Sequence, residues 1–574
     1  MNTDFVSAVK FSNLWEGKAH LLDKSGHAPF WDSSDRFNPI FARLPGKRGS
    51  DIDPPQGHRP AAIDRNESSP AGRVALDRRG GLRGVVGKRM PVRLLRQRCG
   101  GQSAFPLECD MTVFTRRGLL KTAAFAGVSG LGLAAMGRIG GWAAATPDPV
   151  MLRTAKIQAK LIDVGQTNNV LTYGNAGMPP VLRMKKGEPF AARLVNAIDD
   201  PTTIHWHGIR LPNKMDGVPF LVQPYVYTGD HFDYAFTPPD AGTFWYHPHC
   251  NTLEQMGHGL TGVIVVENPN DPKFDAEFVL NLRDWRLGDD GQFIDQFRPR
   301  DAARTGTYGT VRTANWLDQP QYDAPAGGLV RLRLAITDVT RIHAFRVDGA
   351  EAIVMALDGN PVPERFAPDA LLLGPGQRME LAIRMPDDEG AIASLRDVRG
   401  TKPKVLATLR ATGNSLKRDV RDVAPLEVNP VAEVDLGSAQ HISLSLSATA
   451  QNVPSDSICG SLGYSFWAIN KVPWPGDTPD PTAPLAELKL GRSYVIDMEN
   501  LTPQSHPMHL HGMSFKVLSS STRPVRPLIS DTYLIQPNEK VSLGFVADNP
   551  GDWLLHCHII EHQKSGMTSY VRVV

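Results

Sequence analysis

The chain has 574 residues, of which 41% are hydrophobic, and a formal net charge of only +2. This length exceeds one compact domain and predicts roughly three or four. The charge is unevenly distributed, because residues 1–110 carry 18 Lys and Arg against 12 Asp and Glu, whereas residues 146–574 carry 40 basic and 48 acidic residues. The acidic main part offers no basic footprint for nucleic acid, so a nucleic-acid partner is not expected.

Residues 111–145 have the pattern of a secretory signal. Thr115-Arg116-Arg117-Gly118-Leu119-Leu120-Lys121 precedes a short apolar run at 122–136 and then Ala143-Ala144-Ala145. A charged start, an apolar run and an A-x-A cleavage site, with paired arginines, predict export by the twin-arginine translocase to the periplasm or the medium. A buried or membrane helix is the alternative, but a spanning helix needs about 20 mostly apolar residues and this run is short and Gly-rich, so no stable membrane anchor is expected.

Residues 1–110 precede that signal, although targeting signals belong at the N-terminus. Met111 stands four residues before Thr115, where a start is expected. The extension is rich in Arg, Gly, Pro and Asp and has little sustained apolar periodicity. We hypothesise that it is not part of the natural product and reflects a start assigned too far upstream, the alternative being a disordered basic arm.

From residue 150 onward the chain is predicted to form strands rather than helices. Residues 262–266 read as a short buried strand, residues 330–336 alternate strictly between apolar and other side chains, and Gly and Pro interrupt the chain often. Many short strands with such punctuation are typical of β-sandwiches or barrels.

Two segments share one spacing, a glycine, an asparagine nine residues later and a histidine eleven residues after that: Gly187, Asn196 and His207 in the first, and Gly491, Asn500 and His511 in the second. Each ends in His-x-His-Gly, at 205–208 and 509–512, and each is followed by a second shared segment, 242–249 and 551–558. We therefore predict two related domains at 150–270 and 431–574. The region between them, 272–430, contains a single histidine, His343, and no His-x-His motif. We interpret it as a structural domain without copper that separates the other two.

The last copy carries residues that the first copy lacks. Cys557, His562 and Met567 supply a thiolate, an imidazole and a thioether, which belong to the ligand set of a blue-copper electron-transfer site. Pro248 and Leu260 stand at the positions of Cys557 and Met567 in the first copy. In a strand, the two histidines that flank Cys557 point away from its face, which indicates a second metal centre behind the first.

Four His-x-His pairs supply eight imidazoles: His205 and His207, His247 and His249, His509 and His511, and His556 and His558. Residues i and i+2 of a strand share a face, so each pair can present two nitrogens toward one site. One such pair is more often a surface or core feature, but four pairs in two repeated domains predict ligands. Eight imidazoles suit three copper ions.

With these motifs the chain resembles a three-domain multicopper oxidase of the laccase-like, bacterial secreted kind. The resemblance covers about residues 150–574 and includes all four copper motifs. It implies three consecutive cupredoxin-like Greek-key β-sandwich domains, an all-β fold. It also implies four copper ions: one type 1 ion on His506, Cys557, His562 and axial Met567, one type 2 ion on His205 and His509, and two type 3 ions on His207, His247, His249, His511, His556 and His558.

The implied reaction couples four one-electron oxidations of phenols or aromatic amines to reduction of O2 to two waters, catalysed by a monomer. The alternative is a periplasmic cuprous oxidase in copper tolerance, with Cu(I) as the donor. Such enzymes often carry a Met-rich segment, whereas the 16 Met here are scattered. A copper-free relative serving cell division is disfavoured, because such relatives lose ligands that this chain retains.

Protons must also reach the O2 site. Asp216, nine residues after His207, matches an acid that similar bacterial enzymes use near the type 2 copper, and we predict a proton relay there; the alternative is a turn-forming Asp before Gly217. Many relatives carry a carboxylate after the last histidine of the fourth motif, where this chain has Gln563. An amide cannot donate and regain a proton as an acid does, so Glu561 is a second candidate.

Three cysteines lie outside the proposed extension and signal. If Cys557 binds metal, Cys250 and Cys459 remain for a possible disulfide, which an oxidising compartment would permit. The remaining histidines of the main part have no partner at ligand spacing and are expected to have surface or hydrogen-bonded structural roles: His231, His258, His343 and His441.

Overall fold

The computed structural model describes residues 147–448, 465–476, 481 and 483–574. The proposed extension, the proposed signal and Cys459 lie outside this part of the chain. Within it, none of the helices combines the length and the apolar character needed to cross a bilayer. Strands dominate, as the frequent Gly and Pro and the short apolar runs predicted.

The first sandwich is formed by nine strands: β1 Val150–Arg153, β2 Ala155–Ile162, β3 Gly165–Thr172, β4 Leu182–Lys185, β5 Phe190–Val195, β6 His205–His207, β7 His231–Phe236, β8 Gly242–His247 and β9 Gly262–Glu267. The order β1-β5-β7 forms one sheet, β4-β9-β8-β6 forms another, and β2 and β3 form a hairpin. A 3-10 helix at Asn213–Met215 and helix α1 at Thr252–Gly257 lie in the connections. The buried strand predicted at 262–266 is β9.

The middle sandwich contains eleven strands: β10 Ala276–Trp285, β11 Val311–Ala314, β12 Gln321–Pro325, β13 Leu329–Ile336, β14 His343–Asp348, β15 Glu351–Leu357, β16 Asn360–Phe366, β17 Leu372–Leu373, β18 Arg378–Arg384, β19 Ile392–Asp397 and β20 Lys404–Thr412. A six-stranded sheet, β11-β10-β13-β18-β15-β16, packs with a five-stranded sheet, β12-β20-β19-β14-β17. Helix α2 at Pro299–Ala302 and 3-10 helices at Pro368–Ala370 and Val420–Asp422 complete this region.

The last sandwich also contains eleven strands: β21 Gln440–Ser447, β22 Ala468–Ile469, β23 Glu487–Leu488, β24 Ser493–Asn500, β25 His506–Leu510, β26 Phe515–Ser520, β27 Ile529–Ser530, β28 Thr532–Ile535, β29 Lys540–Val546, β30 Gly551–Cys557 and β31 Thr568–Val573. Its sheets, β22-β21-β24-β29-β26-β27 and β23-β31-β30-β25-β28, repeat the order of the middle sandwich strand for strand. Helix α3, Ile560–Lys564, separates β30 from β31. Sheet neighbours are mostly non-consecutive, so the chain crosses between sheets in the Greek-key manner, and the predicted all-β class with three sandwiches is confirmed.

The sequence repeat is a repeat of backbone support. Gly187 and Gly491 have φ angles of +78° and +76°, in the left-handed region that a glycine turn allows. Asn196 and Asn500 are both buried, and each donates its side-chain amide to two loop carbonyls. Each also accepts from the backbone amide two residues further on. These asparagines hold the loops that lead into the two His-x-His strands.

The apolar core explains where the histidines meet. Buried residues of the first and last sandwiches, such as Trp206 and Trp553, belong to one continuous core cluster, whereas the middle sandwich has a core of its own. A smaller cluster joins Trp245, Val339 and Ile560, one residue from each sandwich. The first and last sandwiches are therefore directly fused by packing, and the middle one abuts their junction.

The alternating strand predicted at 330–336 is β13, but its polar face is not exposed. An alternating strand ordinarily turns its polar side to solvent. Here Arg331 and Arg333 are 4% and 2% exposed and both hydrogen-bond to the Glu380 carboxylate. Arg333 also reaches Thr243 of the first sandwich at 3.1 Å. The polar face is a buried ionic cluster of the middle sandwich that hydrogen-bonds to Thr243 of the first, which alternation alone does not reveal.

Candidate metal centres

The four His-x-His pairs converge where the first and last sandwiches meet. In the first, β6 pairs with β8 so that His205 lies opposite His247. In the last, β25 pairs with β30 so that His509 lies opposite His556 and Met508 opposite Cys557. The two copies of the repeat thus use the same antiparallel register, which brings two histidine pairs together within each sandwich.

The two sandwiches interleave their rings with an approximate twofold symmetry. His205 of the first stacks on His511 of the last with ring centres 3.8 Å apart, and His207 stacks on His509 at 3.7 Å. The Nε2 atoms of His205 and His509 are 3.4 Å apart. Both copies therefore contribute rings to the centre, and neither sandwich can form the cluster alone.

The ligand atoms of the cluster fall into close groups of three. Those of His207, His247 and His558 lie within 4.8 Å of one another, and so do those of His249, His511 and His556. These two trios share no member. The two remaining histidines, His205 and His509, form a further close pair. Mixed groups also satisfy the same distance, such as His205 with His207 and His509.

Unpaired ring nitrogens show that these histidines fit a metal rather than each other. Among the described residues, four histidines have buried ring nitrogens without a hydrogen-bond partner: His207 Nδ1, His247 Nε2, His249 Nε2 and both nitrogens of His558. The opposite nitrogens of two of these rings are held, His247 Nδ1 by the Pro248 carbonyl at 3.0 Å and His207 Nε2 by Thr532 Oγ1 at 3.2 Å. An unpaired buried polar atom is costly, and a metal ion would satisfy these atoms while the held nitrogens fix ring orientation.

Burial favours the neutral form of six of the cluster imidazoles. Burial first, and then the proximity of other rings, holds the pKa well below its usual value for six of the rings: His207, His247, His249, His511, His556 and His558. A neutral imidazole has a free lone pair, which is the form that binds metal. The buried cluster is therefore poised for cations rather than for anions.

The mononuclear site forms a triangle in the last sandwich. Cys557 Sγ lies 3.6 Å from Nδ1 of both His506 and His562, and these two nitrogens are 3.1 Å apart. Met567 is fully buried in the same apolar core as Cys557. Burial lowers the pKa of His562 to about 3 and raises the pKa of the Cys557 thiol. A bound cation would displace the proton of that thiol. A soft thiolate with two imidazoles fits copper.

Asp216 lies between the two copies of the repeat. Its carboxylate accepts from His511 Nδ1 at 2.8 Å and lies 3.2 Å from His205 Nδ1, while its backbone carbonyl accepts from His205 Nδ1 at 2.9 Å. The side chain is 1% exposed. A single carboxyl group thus contacts one ring of each sandwich, where the sequence had predicted an acid near the proposed type 2 copper.

Asp531 has the mirror-image position, and sequence reasoning missed it. Its backbone carbonyl accepts from His509 Nδ1 at 2.9 Å, and its carboxylate lies 3.2 Å from His207 Nε2. Unlike Asp216, it is paired with a buried arginine of the middle sandwich, Arg378. Burial raises the pKa of the Asp531 carboxyl, but Arg378 outweighs it and holds this pKa far below its usual value. Asp531 is therefore a fixed negative charge.

The glycine of the His-x-His-Gly motif has a steric reason. Gly208 has a φ of +86°, and a Cβ there would lie 2.4 Å from Arg378 Nη2 and 2.6 Å from Asp531 Oδ2. In the second copy, a Cβ on Gly512 would lie 2.2 Å from the Trp553 ring. Both glycines let neighbouring groups approach the histidine strand closely.

Glu561 and Gln563 occupy different surroundings. Glu561 is fully buried and accepts hydrogen bonds from the Thr307 amide and hydroxyl, with Arg286 at 3.4 Å; these partners belong to the middle sandwich. Gln563 is 6% exposed, and its Oε1 has no hydrogen-bond partner within the described ranges. Glu561 therefore makes a contact between sandwiches, and position 563, which the resemblance would fill with a carboxylate, holds a buried amide.

The other histidines have ordinary partners. His343 is clamped between Asp338 and Asp397, with Nδ1 3.1 Å from the latter. His441 Nδ1 lies 2.6 Å from Asp497, and His258 stacks on an aromatic ring. Cys250 is disulfide-bonded, and Cys459, its proposed partner, lies outside the described residues.

A thiolate–imidazole triangle, connected through the chain to a cluster of eight imidazoles, supplies the ligand types that copper prefers. Two family models, both described as multicopper oxidase, match residues 155–271 and 449–574. The chain belongs to the multicopper oxidase family. It is a copper-dependent oxidoreductase that uses O2 as electron acceptor.

Solved structures and curated relatives agree. The multi-copper oxidase of Pseudomonas thermotolerans is 38% identical, with a TM-score of 0.66 over 74% of this chain and 99% of that one. The enzyme of Pseudomonas parafulva is also 38% identical, with a TM-score of 0.65 over 74% and 100% of the two chains. Multicopper oxidase MmcO of Mycobacterium tuberculosis is 29% identical over 72% of this chain and 85% of its own, and Laccase-1 of Fomitopsis schrenkii is 29% identical over 67% and 80%.

Proposed function

We propose that this oxidase takes single electrons from phenols or aromatic amines at the mononuclear site and passes them to O2 at the cluster. Four donor oxidations and four protons convert one O2 into two water molecules. Copper, when bound, supplies the one-electron chemistry at both centres. Laccase names among the relatives support an organic donor.

The observation that carries this proposal is the position of Cys557. Its sulfur faces His506 and His562, while its covalent neighbours His556 and His558 belong to the two separate histidine trios. An electron that reaches the thiolate therefore has a continuous bonded path of one residue in either direction to the cluster. Electron collection and O2 reduction can then take place in separate, buried compartments.

The proposed ligands follow the geometry of the groups. His506, Cys557, His562 and Met567 would hold a type 1 ion, His205 and His509 a type 2 ion, and the two trios one type 3 ion each. Asp531, fixed as an anion by Arg378, would orient His207 and His509 by accepting their outer N–H groups.

We propose Asp216 as the proton relay to the cluster. Like Asp531, it contacts one ring of each sandwich, but its ion-pair partners among the described residues are imidazoles and not an arginine. A carboxyl group without a fixed cation can take up and return a proton. With an amide at position 563, Asp216 is positioned to carry the larger share of proton supply.

The domain limits 150–270, 272–430 and 431–574 are proposed with this assignment, as is export by the twin-arginine route to the periplasm or medium. Sequencing the N-terminus of the secreted protein tests the export proposal, since a mature end well before Thr146 would contradict it.

The experiment is O2 uptake by copper-loaded protein, measured side by side with a phenol, an aromatic amine and Cu(I). We expect O2 uptake with the phenol or the amine, at four donor electrons per O2. A preference for Cu(I) alone would assign the chain to cuprous oxidation. Full copper loading without O2 uptake from any donor would contradict the proposed reaction.

A further inference from the structure

Both imidazoles of the mononuclear site have their outer nitrogens occupied by the protein. His506 Nε2 lies 2.8 Å from Thr502 Oγ1, and His562 Nε2 donates to the backbone carbonyl of Arg304 at 2.8 Å. Both rings are 0% exposed. Neutral imidazole has a single N–H. A donor molecule that needs a hydrogen bond from His562 therefore finds that hydrogen already used.

The Arg304 carbonyl belongs to a segment that we call the strap, residues 298–307. The strap leaves the middle sandwich between β10 and β11, contains helix α2, and lies against α3 of the last sandwich. Arg304 and Thr305 are exposed, whereas Gly306 and Thr307 are buried. At Arg304 the backbone of the strap therefore lies between His562, which bonds to the Arg304 carbonyl, and solvent, to which Arg304 and Thr305 are exposed.

Contacts on both sides of Arg304 fasten the strap beside the site, and the backbone of Arg298, at the start of the strap, also hydrogen-bonds to Glu561. At one end, the Ala302 carbonyl accepts from Trp467 Nε1 at 2.9 Å, and the Trp467 ring packs against His562 with centres 4.4 Å apart. At the other end, Thr307 donates its hydroxyl to Glu561 Oε1 at 2.6 Å and its backbone amide to Oε2. The strap is therefore attached on both sides of Arg304.

Glu561 and a buried arginine make the second contact strong. Arg286 donates Nε to the Thr307 carbonyl at 3.1 Å and lies 3.4 Å from Glu561 Oε2. Gly306 leaves no room for a side chain, since a Cβ there would lie 2.9 Å from Glu561 Oε2. Hydrogen bonds to a carboxylate that also faces an arginine are stronger than neutral ones. We call the contact of Thr307 with Glu561 the clasp.

We propose that the strap is the specificity element of the mononuclear site, and that its clasp, Thr307 with Glu561, controls access of phenols to the N–H of His562. This inference rests on the proposed function. With the strap closed, electrons enter only from donors that transfer them without touching His562. With the strap lifted, a phenol oxygen replaces the Arg304 carbonyl as the acceptor of the His562 N–H. Each phenol then loses one electron to the site and one proton to water and becomes a phenoxyl radical, and O2 remains the final oxidant. Glu561 is a positioning residue in this account.

The test uses Thr307→Val, which keeps the size of the side chain and removes the hydroxyl bond of the clasp. Thr310→Val is the matched control, because the Thr310 hydroxyl bonds to the Leu287 carbonyl at 2.7 Å, inside the middle sandwich. Thr307→Val combined with Trp467→Phe weakens both attachments of the strap and keeps an aromatic ring on His562. All variants are compared as copper-loaded full-length protein.

Two readouts are taken. Hydrogen exchange of strap amides should become faster on the order of tenfold in Thr307→Val, and faster still in the double variant, because the clasp opens more often. Steady-state oxidation of a bulky dimethoxyphenol should rise by a similar factor in kcat/KM, mainly through a lower KM, whereas hexacyanoferrate(II), which transfers electrons without a hydrogen bond to the ligand, should change less than about twofold. Thr310→Val should match the natural protein in both.

The inference is overturned if strap exchange accelerates while the ratio of phenol to hexacyanoferrate(II) oxidation stays the same or falls. It is also overturned if the double variant leaves strap exchange unchanged, because the two contacts then do not hold the strap. Absence of O2 uptake with either donor in the natural protein would instead refute the proposed function, and the exchange measurement would still report on the clasp.

Discussion

Asp216→Asn separates proton supply from electron entry. The amide has nearly the size of the carboxylate, and its oxygen can still accept the hydrogen bond from His511 Nδ1, which lies 2.8 Å from the carboxylate of Asp216. The amide cannot exchange a proton. The variant also loses the charged oxygen that lies 3.2 Å from His205 Nδ1, a contact of about 1–2 kcal/mol. If Asp216 only orients the rings, a rise of that size in the activation barrier slows the reaction about tenfold. Loss of an acid–base group costs about 10²–10⁴-fold. A fall in turnover beyond about 100-fold therefore identifies a relay.

The assay compares two half-reactions of the copper-loaded protein. Anaerobic reduction by a phenol should bleach the blue absorption of Asp216→Asn as fast as that of the natural protein, since Asp216 does not contact the Cys557 site. Reoxidation by O2 should be slow. Asp240→Asn, a buried aspartate paired with Arg210 at 2.8 Å, is the control for removing a buried charge in the first sandwich. Unchanged reoxidation in Asp216→Asn would remove this residue from the mechanism.

Two further predictions concern a buried ion pair of the middle sandwich and the glycine beside the histidine cluster. Burial lowers the pKa of His343, but its two aspartate partners raise it to about 9. The stability that this charged histidine contributes is therefore complete below about pH 6.5 and is lost as the pH rises through 9. The difference in unfolding free energy between the natural protein and His343→Gln should shrink by up to ~3 kcal/mol from pH 6 to pH 10, and a difference that does not change with pH in thermal unfolding would refute this. Gly208→Ala should displace the Arg378–Asp531 pair and add a positive-φ cost of ~1–2 kcal/mol, so that melting temperature and copper content of the purified protein both fall; retention of both would show that the close approach is unnecessary.

The sequence predicted the parts of the site that depend on short-range spacing. The His-x-His pairs lie on strands because i and i+2 share a face, and the repeat of Asn196 and Asn500 marks identical loop supports in both copies. Cys557 between two histidines predicted a junction of two centres, and the structure places its sulfur and its neighbours on opposite sides of that junction.

What the sequence could not predict lies in contacts between distant residues. Asp531 follows His511 by twenty residues, whereas Asp216 follows His207 by nine, so the spacing of one copy does not locate the acid in the other. The bond from His562 to Arg304 ends on a backbone carbonyl, which has no signature in side-chain types. The middle sandwich, interpreted as a spacer, also supplies Arg378 to the cluster and the strap to the mononuclear site.

The contacts of Glu561 could not be predicted from the sequence either. Its part in proton transfer was inferred from its neighbours along the chain and stays a prediction. Its three-dimensional partners, Thr307 and Arg286, lie more than 250 positions away, and they give this carboxylate a mechanical connection to another sandwich.

Copper analysis of the natural protein and Cys557→Ser tests the central claim, that one buried segment joins two copper centres. We predict four copper ions per natural chain with a blue thiolate absorption band, and three per Cys557→Ser chain without that band, because the eight imidazoles of the cluster are intact. Equal copper content in both proteins, or loss of all copper from the variant, would contradict the division of ligands proposed for this chain.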